Sequence, residues 1–168
     1  LEDCTIITAD TARLEMDKHY KGSFTFRTNN DSLVIEANRT AEEYARGYRM
    51  GLPVTLYLPP VEMIKMKYGR ITLLGGTDST KAVSQKIELS NSHLQLVTLD
   101  RRGSKADWWD KLTIVAQENA EIHFPGNGTI NYLDVTLSNN SSMHDRGVQV
   151  KSFLLKMDST SSAALRMQ

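Results

Sequence analysis

Apolar and polar positions alternate along most of this chain, as at Phe24 and Phe26 and again at Val54, Leu56 and Leu58. An alternation with a period of two residues is typical of half-buried β-strands, because successive side chains point to opposite faces of a sheet. The pattern therefore predicts a protein built mainly from strands, each with one face turned towards a core.

One segment lacks this alternation and predicts a short helix over residues 40–50. Thr40, followed three residues later by Glu43, forms a capping box, which satisfies the first free backbone N–H groups of a helix. Gly51 and Pro53 follow the segment, and both residue types end helices. We therefore expect a single short helix in an otherwise β chain.

This helix divides one domain of 168 residues into an N-terminal part, residues 1–52, and a C-terminal part, residues 53–168. The N-terminal part is expected to cap the C-terminal one. Its predicted strands lie at residues 4–16, 22–28 and 32–37. Two asparagines and an aspartate at residues 29–31 favour a tight turn, so the last two strands are expected to form a hairpin.

The C-terminal part contains a repeat, in which a pair of apolar residues is followed by a small residue and a further apolar residue. The five units are Ile64 and Met66 with Gly69 and Ile71; Ile87 and Leu89 with Ser92 and Leu94; Leu112 and Ile114 with Ala120 and Ile122; Leu133 and Val135 with Ser141 and Met143; and Leu155 and Met157 with Ala163 and Leu165. The units start 23, 25, 21 and 22 residues apart, which is close to one coil of a β-solenoid.

A coil of this length cannot bury its own apolar face. Coils stacked about 4.8 Å apart, however, pair their backbones and join their inward side chains into one core. The repeat therefore predicts a right-handed β-solenoid in which Ile71, Leu94, Ile122, Met143 and Leu165 form one column.

The small residue of each unit is expected to mark a bend. Asn91, Asn119 and Asn140 stand just before it in three units, and asparagine tolerates the left-handed backbone of a bend. Three steps separate the second apolar residue from the small residue in the first two units and six in the last three, so we expect the coil to change its cross-section between residues 96 and 112. Strands separated by regular turn signals would give similar alternation, which leaves an antiparallel β-sandwich as the alternative fold.

Charge and composition narrow the function. The 20 basic residues balance the 20 acidic ones, so no net field is available to hold a nucleic acid. No apolar run reaches the roughly 20 residues that span a bilayer, and no membrane insertion is expected. Cys4 is the one cysteine and is expected to be structurally incidental. The chain begins at Leu1 rather than at methionine, which favours a removed leader and a cell-envelope or extracellular location.

Two stretches combine an apolar strand, a small residue and a short apolar strand. They are LPVTLYLPPVEMIKMKYGRITLLGG and DKLTIVAQENAEIHFPGNGTINYLDVTLSNNSSMHDRGVQVKSFLLKMDSTSSAALRM. This pattern resembles the head GIN domain family of auto-transporter adhesins, common in exported proteins of Bacteroidetes-type bacteria. The resemblance implies a right-handed β-solenoid with an N-terminal stranded cap and a role in adhesion, and it brings no catalytic or binding residues with it. The chain departs from the family in having fewer glycines at the bends and an excursion at residues 97–111.

This excursion is the candidate ligand site, because aromatic rings beside charges suit stacking on a sugar ring or docking of a partner. Its candidate residues are Arg101, Arg102, Asp107, Trp108 and Trp109. The alternative is that one or both tryptophans cover the core at an uneven junction between coils. Asp107 and Asp110 also suggest an acid–base pair for glycan cleavage, but that chemistry needs two carboxylates at a fixed separation across a cleft.

Two histidines suggest a second surface feature. His123 and His144 each follow an apolar residue of the predicted column, so their imidazoles are expected to lie together on the outer face. Two ligands do not make a metal site, and Glu121 or Asp145 would be needed to complete one. We expect neither a metal nor a cofactor.

The common catalytic motifs are missing from the sequence, which contains no glycine-rich phosphate loop, no G-x-S-x-G elbow and no H-E-x-x-H pair. The sequence therefore favours a non-enzymatic module of the cell envelope or the extracellular space, an adhesin or scaffold that binds a glycan or a surface protein. The rival hypothesis is a carbohydrate-active enzyme with pectin-lyase-like cleavage on a β-solenoid. That activity needs three or more carboxylates, or a lysine and arginine group, converging on one groove.

Overall fold

A computed structural model describes residues 3–16, 18, 24–29, 32–37, 53–74, 83–97, 107–124 and 128–166. The helix predicted over residues 40–50 lies outside these ranges. The described residues form thirteen strands: β1 (Asp3–Thr8), β2 (Arg13–Met16), β3 (Phe24–Asn29), β4 (Ser32–Ala37), β5 (Pro53–Leu58), β6 (Met63–Leu74), β7 (Val83–Val97), β8 (Asp107–Gln117), β9 (Glu121–His123), β10 (Thr129–Leu137), β11 (Ser142–His144), β12 (Gln149–Met157) and β13 (Ser162–Ala164).

Parallel pairing between successive coils builds the domain. Strands β6, β7, β8, β10 and β12 pair in that order, and we call this face the long wall. The ends of β6 and β7 continue around a bend and pair with each other, and the stack goes on through β9, β11 and β13. We call these strand ends and the three short strands together the short wall. Parallel strands joined by one coil of chain make a β-solenoid, and the antiparallel sandwich considered as the alternative is wrong.

One column of inward side chains runs through the short wall almost as predicted. Ile71 pairs with Leu94, Leu94 with Ile122, and Ile122 with Met143, and all four side chains are buried. The last member is a correction, because Met143 pairs with Ala163 instead of Leu165. Leu165 lies two residues further on and is 45% exposed, so the last coil presents only a methyl group to the column.

The long wall confirms the predicted register of the first two units and shifts the third. Ile64 pairs with Ile87 as predicted, but Ile87 pairs with Ile114 and not with Leu112. Ile114 in turn pairs with Val135, so the fourth unit is shifted by the same two residues. The predicted starting positions of both units were wrong for one reason, since a shift of two residues keeps every side chain on its face and leaves the alternation unchanged.

The observed register explains the unequal spacing between the apolar pair and the bend. The first two bends contain one residue each with positive φ, Tyr68 (59°) and Asn91 (48°). The next two contain consecutive pairs, Glu118 (58°) with Asn119 (61°) and Asn139 (54°) with Asn140 (63°). The expected change in cross-section is therefore a bend that is longer by one residue, and the asparagines occupy the left-handed positions predicted for them.

The small residue after each bend has a specific contact in two coils. The Ser92 hydroxyl donates to the Ser90 carbonyl oxygen at 2.7 Å, and the Ser141 hydroxyl donates to the Ser138 carbonyl oxygen at 2.7 Å. Both serines are buried. A larger side chain would separate the two walls here and leave these carbonyl groups without the hydroxyl donor.

The N-terminal strands extend the stack at one end. The strand predicted over residues 4–16 is two strands, because the chain turns at residues 9–12. β1 lies between β5 and β6 and is parallel to both, whereas β2 is antiparallel to β5. Cys4 thereby continues the core column between Val54 and Ile71, and burial raises the pKa of its thiol to about 11, as suits a structural residue.

The predicted hairpin is confirmed, since β3 and β4 pair antiparallel with Asn29 opposite Ser32. Within the described part of the chain, no helix combines the length and the hydrophobicity needed to span a bilayer.

Candidate functional site: a histidine ladder on the short wall

Three imidazoles lie against one another on the outer face of the short wall, and we call them the histidine ladder. His93 is on β7, His123 on β9 and His144 on β11. The ring centroids of His93 and His123 are 4.6 Å apart with an interplanar angle of 24°, and those of His123 and His144 are 5.0 Å apart with an angle of 31°. The prediction that His123 and His144 lie together is confirmed.

Strand alternation positions the ladder. Leu94, Ile122 and Met143 point into the core, so the residues on either side of each point outward. His123 and His144 occupy one outer row, and His93 belongs to the neighbouring row, in which it pairs with Glu121. The sequence analysis missed His93 because it precedes its apolar residue, although its outward position follows from the same alternation.

Glu121 joins the ladder through its carboxylate. Its Oε2 atom lies 3.1 Å from His93 Nδ1 and 3.7 Å from His123 Nε2. The ligand atoms of these three side chains all lie within 4.8 Å of one another. Among the described residues, no other group of three histidine, cysteine, aspartate or glutamate side chains is this compact. Sequence reasoning named Glu121 as a partner, and the structure adds the third ligand.

Asp145, the other carboxylate named beside the histidines, has a different role. Its Oδ1 atom accepts hydrogen bonds from the backbone N–H groups of Gly147 at 3.1 Å and Val148 at 3.0 Å. Its Oδ2 atom accepts one from the N–H of Arg166 at 2.9 Å. Asp145 is buried and closes the turn after β11 instead of completing a site on the wall.

Comparison with known proteins adds no relative to this picture. No family model, curated protein or solved structure matches the chain. The resemblance to the head GIN domain family stays a prediction, and the functional argument rests on the residues themselves.

The predicted ligand segment is shorter than the sequence indicated. β7 ends at Val97 and β8 begins at Asp107, so Asp107 and Trp108 belong to a strand of the long wall. Arg101 and Arg102 lie outside the described residues. The apolar pattern did not predict the start of β8, because the two adjacent tryptophans between Asp107 and Asp110 do not alternate with polar residues.

Trp109 lies in the core. It is 7% exposed and packs in the main apolar cluster, and its indole Nε1 donates to Gln85 Oε1 at 3.4 Å. Trp109 therefore fits the alternative prediction, in which a tryptophan covers the core at an uneven junction between coils. Its ring is not an exposed platform for a ligand.

The start of β8 is irregular against both neighbouring strands. Its register shifts against β7 between Val83 and Ser84, and against β10 between Thr129 and Ile130. Each shift leaves one extra residue on β8, Asp110 against β7 and Trp108 against β10. Such bulges change the direction of side chains and are common next to binding sites.

The lowered pKa of His123 makes the stability of the fold at acidic pH depend on this residue. Burial, followed by the neighbouring His93 and His144, lowers the pKa of His123 below its ordinary value of 6.5, although Glu121 opposes the shift. Below pH 6.5 the unfolded chain then binds more protons than the folded one, so stability is complete above this pH and declines as the pH falls through the lower folded pKa.

We expect the melting temperature of metal-free protein in EDTA to fall between pH 7.5 and pH 5.5, with a smaller fall in His123→Gln. Glutamine suits the position, because Gln95 occupies the same row in the preceding coil. The measurement is thermal denaturation followed by circular dichroism at both pH values. Equal falls in the two proteins would show that His123 contributes nothing to the pH dependence.

Proposed function

We propose that this chain is a non-enzymatic binding module of the cell envelope or the extracellular space, an adhesin or scaffold that recognises a glycan or a surface protein. The observation that carries the proposal is the double irregularity at the start of β8, where the predicted ligand segment enters an otherwise regular wall. A regular stack supplies a rigid frame, and the irregular strand supplies side chains in new directions.

The wall beside this segment has the polar and aromatic groups that a sugar or a protein partner would contact. Asn131 Nδ2 donates to Asp110 Oδ1 at 3.0 Å. In the adjacent row Lys111 Nζ lies 5.5 Å from the centroid of the Tyr132 ring. Fixed amide, carboxylate and ring groups of this kind can form directional hydrogen bonds and stack on an apolar sugar face.

Two described carboxylates, Glu88 and Asp158, do not suit the role of general acid in glycan cleavage. Hydrogen bonds from Lys65 and then Lys86, at 2.8 and 2.6 Å, lower the pKa of Glu88 to about 2. The backbone N–H of Asn139, then the Ser161 hydroxyl, lower the pKa of Asp158 to about 2. A general acid in glycan cleavage needs a raised pKa, so both shifts run in the opposite direction.

A glycan array tests the proposal, with Trp108→Ala as the informative variant. We expect wild-type protein to bind a subset of glycans and the variant to lose about tenfold in affinity for them, the usual effect of removing an aromatic contact. Tyr68→Ala is the matched control, because Tyr68 is an exposed aromatic residue in a bend of another coil.

A parallel arm screens immobilised surface proteins with the same three chains. Unchanged binding by Trp108→Ala in both arms would remove the start of β8 as the contact surface. Release of oligosaccharides from any bound polysaccharide would contradict the non-enzymatic proposal and favour the pectin-lyase-like alternative.

A further inference from the structure

We propose that His93, Glu121 and His123 bind one divalent transition-metal ion of the zinc class, with water in the remaining position. Three side chains from two hydrogen-bonded strands converge here, and two of them supply imidazole nitrogens while the third supplies a carboxylate oxygen. Two histidines and a glutamate form a donor set that zinc takes in sites open to solvent. The site is independent of the surface proposed above for glycans or proteins.

Two of the three distances between the ligand atoms, those from Glu121, are close to those of a bound site. Zinc binds nitrogen and oxygen at about 2.0–2.2 Å, so two ligands of a tetrahedral ion lie about 3.4 Å apart. Glu121 Oε2 lies 3.1 Å from the nitrogen of His93 and 3.7 Å from that of His123. Both separations are within a few tenths of an ångström of this geometry.

The imidazoles need one adjustment. A metal ion lies in the plane of each ring that binds it, whereas the rings of His93 and His123 are now stacked 24° from parallel. Rotation about the Cβ–Cγ bond of either histidine brings the rings out of this stack, and this torsion has a broad energy minimum. The side chains of His93 and His123 are 21% and 30% exposed, so solvent reaches both rings and can supply the water ligand.

The backbone beneath the ligands is fixed. His93 pairs directly with Glu121 across β7 and β9, and β9 is held on its other side by β11 through the bonds from Ser142 N to Ala120 O and from Phe124 N to His144 O, both 2.9 Å. The Ile122 side chain between Glu121 and His123 is completely buried. Ligands mounted on paired strands do not have to order a loop when the ion binds.

The arrangement differs from an ordinary polar ladder. In such a ladder like side chains repeat along one row, and each contacts its counterpart in the next coil. Here the carboxylate of Glu121 shares a row with His93 and a strand with His123, so it approaches nitrogens from two different rows. Because the carboxylate reaches both rows, three ligand atoms lie within 4.8 Å of one another. A single row of histidines does not produce such a cluster.

The test is calorimetric titration of the metal-stripped chain with ZnCl2 at pH 7.5. We expect saturation at one ion per chain and a rise in melting temperature with zinc concentration, because an ion that binds only the folded state stabilises it by mass action. His93→Gln, His123→Gln and Glu121→Gln are each expected to weaken binding by about tenfold or more, since even changes around metal ligands have effects of this size.

Glu88→Gln is the matched control, because it removes a carboxylate from the long wall and is expected to leave zinc binding unchanged. Circular dichroism of each metal-free variant checks folding, and His123→Gln keeps the test valid if another variant fails to fold, since glutamine already occupies that row at Gln95. Absence of saturable binding by wild-type protein would overturn the proposal. Binding that folded His123→Gln and Glu121→Gln retain in full would place the ion elsewhere and overturn it equally.

Discussion

Replacing Trp109 with alanine is expected to lower the free energy of unfolding by about 3–5 kcal/mol, the usual cost of removing a buried aromatic ring. Trp109 is 7% exposed and lies in register with Val83 on one side and Ile130 on the other. Its ring fills the core where the register of β8 is irregular, so its replacement by alanine leaves a cavity in the main apolar cluster. Urea denaturation followed by circular dichroism measures the loss.

The matched variant Trp109→Phe keeps an aromatic ring and removes the indole N–H. It is expected to cost less than the alanine variant, because the lost bond to Gln85 is long at 3.4 Å and Gln85 also donates to the Val61 carbonyl oxygen at 3.0 Å. A loss below about 1 kcal/mol for Trp109→Ala would contradict the buried position. A double variant of Trp108 and Trp109 would combine lost binding with lost folding, so Trp108→Ala alone reports on ligand binding.

Asp145→Ala is expected to have a comparable effect, a loss of about 3 kcal/mol or more. One carboxylate satisfies three backbone N–H groups, those of Gly147, Val148 and Arg166, and the first two belong to buried residues. Each buried donor left without a partner costs about 1–3 kcal/mol. The turn after β11 would lose its closure, and with it the contact that ties residue 166 back to the preceding coil.

Asp145→Asn separates the three bonds. Its amide oxygen can replace Oδ1 and accept from Gly147 and Val148, whereas its amide nitrogen cannot accept from Arg166. We therefore expect an intermediate loss of stability in urea denaturation. Equal losses for the alanine and asparagine variants would show that the bond to Arg166 carries the whole effect, contrary to the argument from burial.

Much of the fold follows from alternation and repeat length, and each wrong prediction of register has a physical cause. The columns through Ile71, Leu94, Ile122 and Met143 were predictable because each apolar residue stands at a fixed distance from a small residue at a bend. The start of the third unit was not, because the inward residue Ala116 is too small to be recognised as core from its identity alone. For the same reason the prediction placed Leu165 in the last column position, which is occupied by the small residue Ala163.

The candidate site was predictable only in part. Alternation placed His123 and His144 on one face, and the predicted column that pairs Leu94 with Ile122 also places His93 opposite Glu121. The direction in which each side chain leaves its row does not follow from periodicity, so the approach of the Glu121 carboxylate to both His93 and His123 could not have been derived from it.

The bends of one and of two left-handed residues have a consequence for how such a chain can change. After a bend of either length, the next inward residue lies in the same column. The number of residues in a bend therefore does not determine which side chains of the following strand point inward. A single codon gained or lost at a corner would leave every inward side chain inward, whereas the same event inside a strand would turn the rest of that strand inside out. Length variation in this protein should therefore accumulate at its corners.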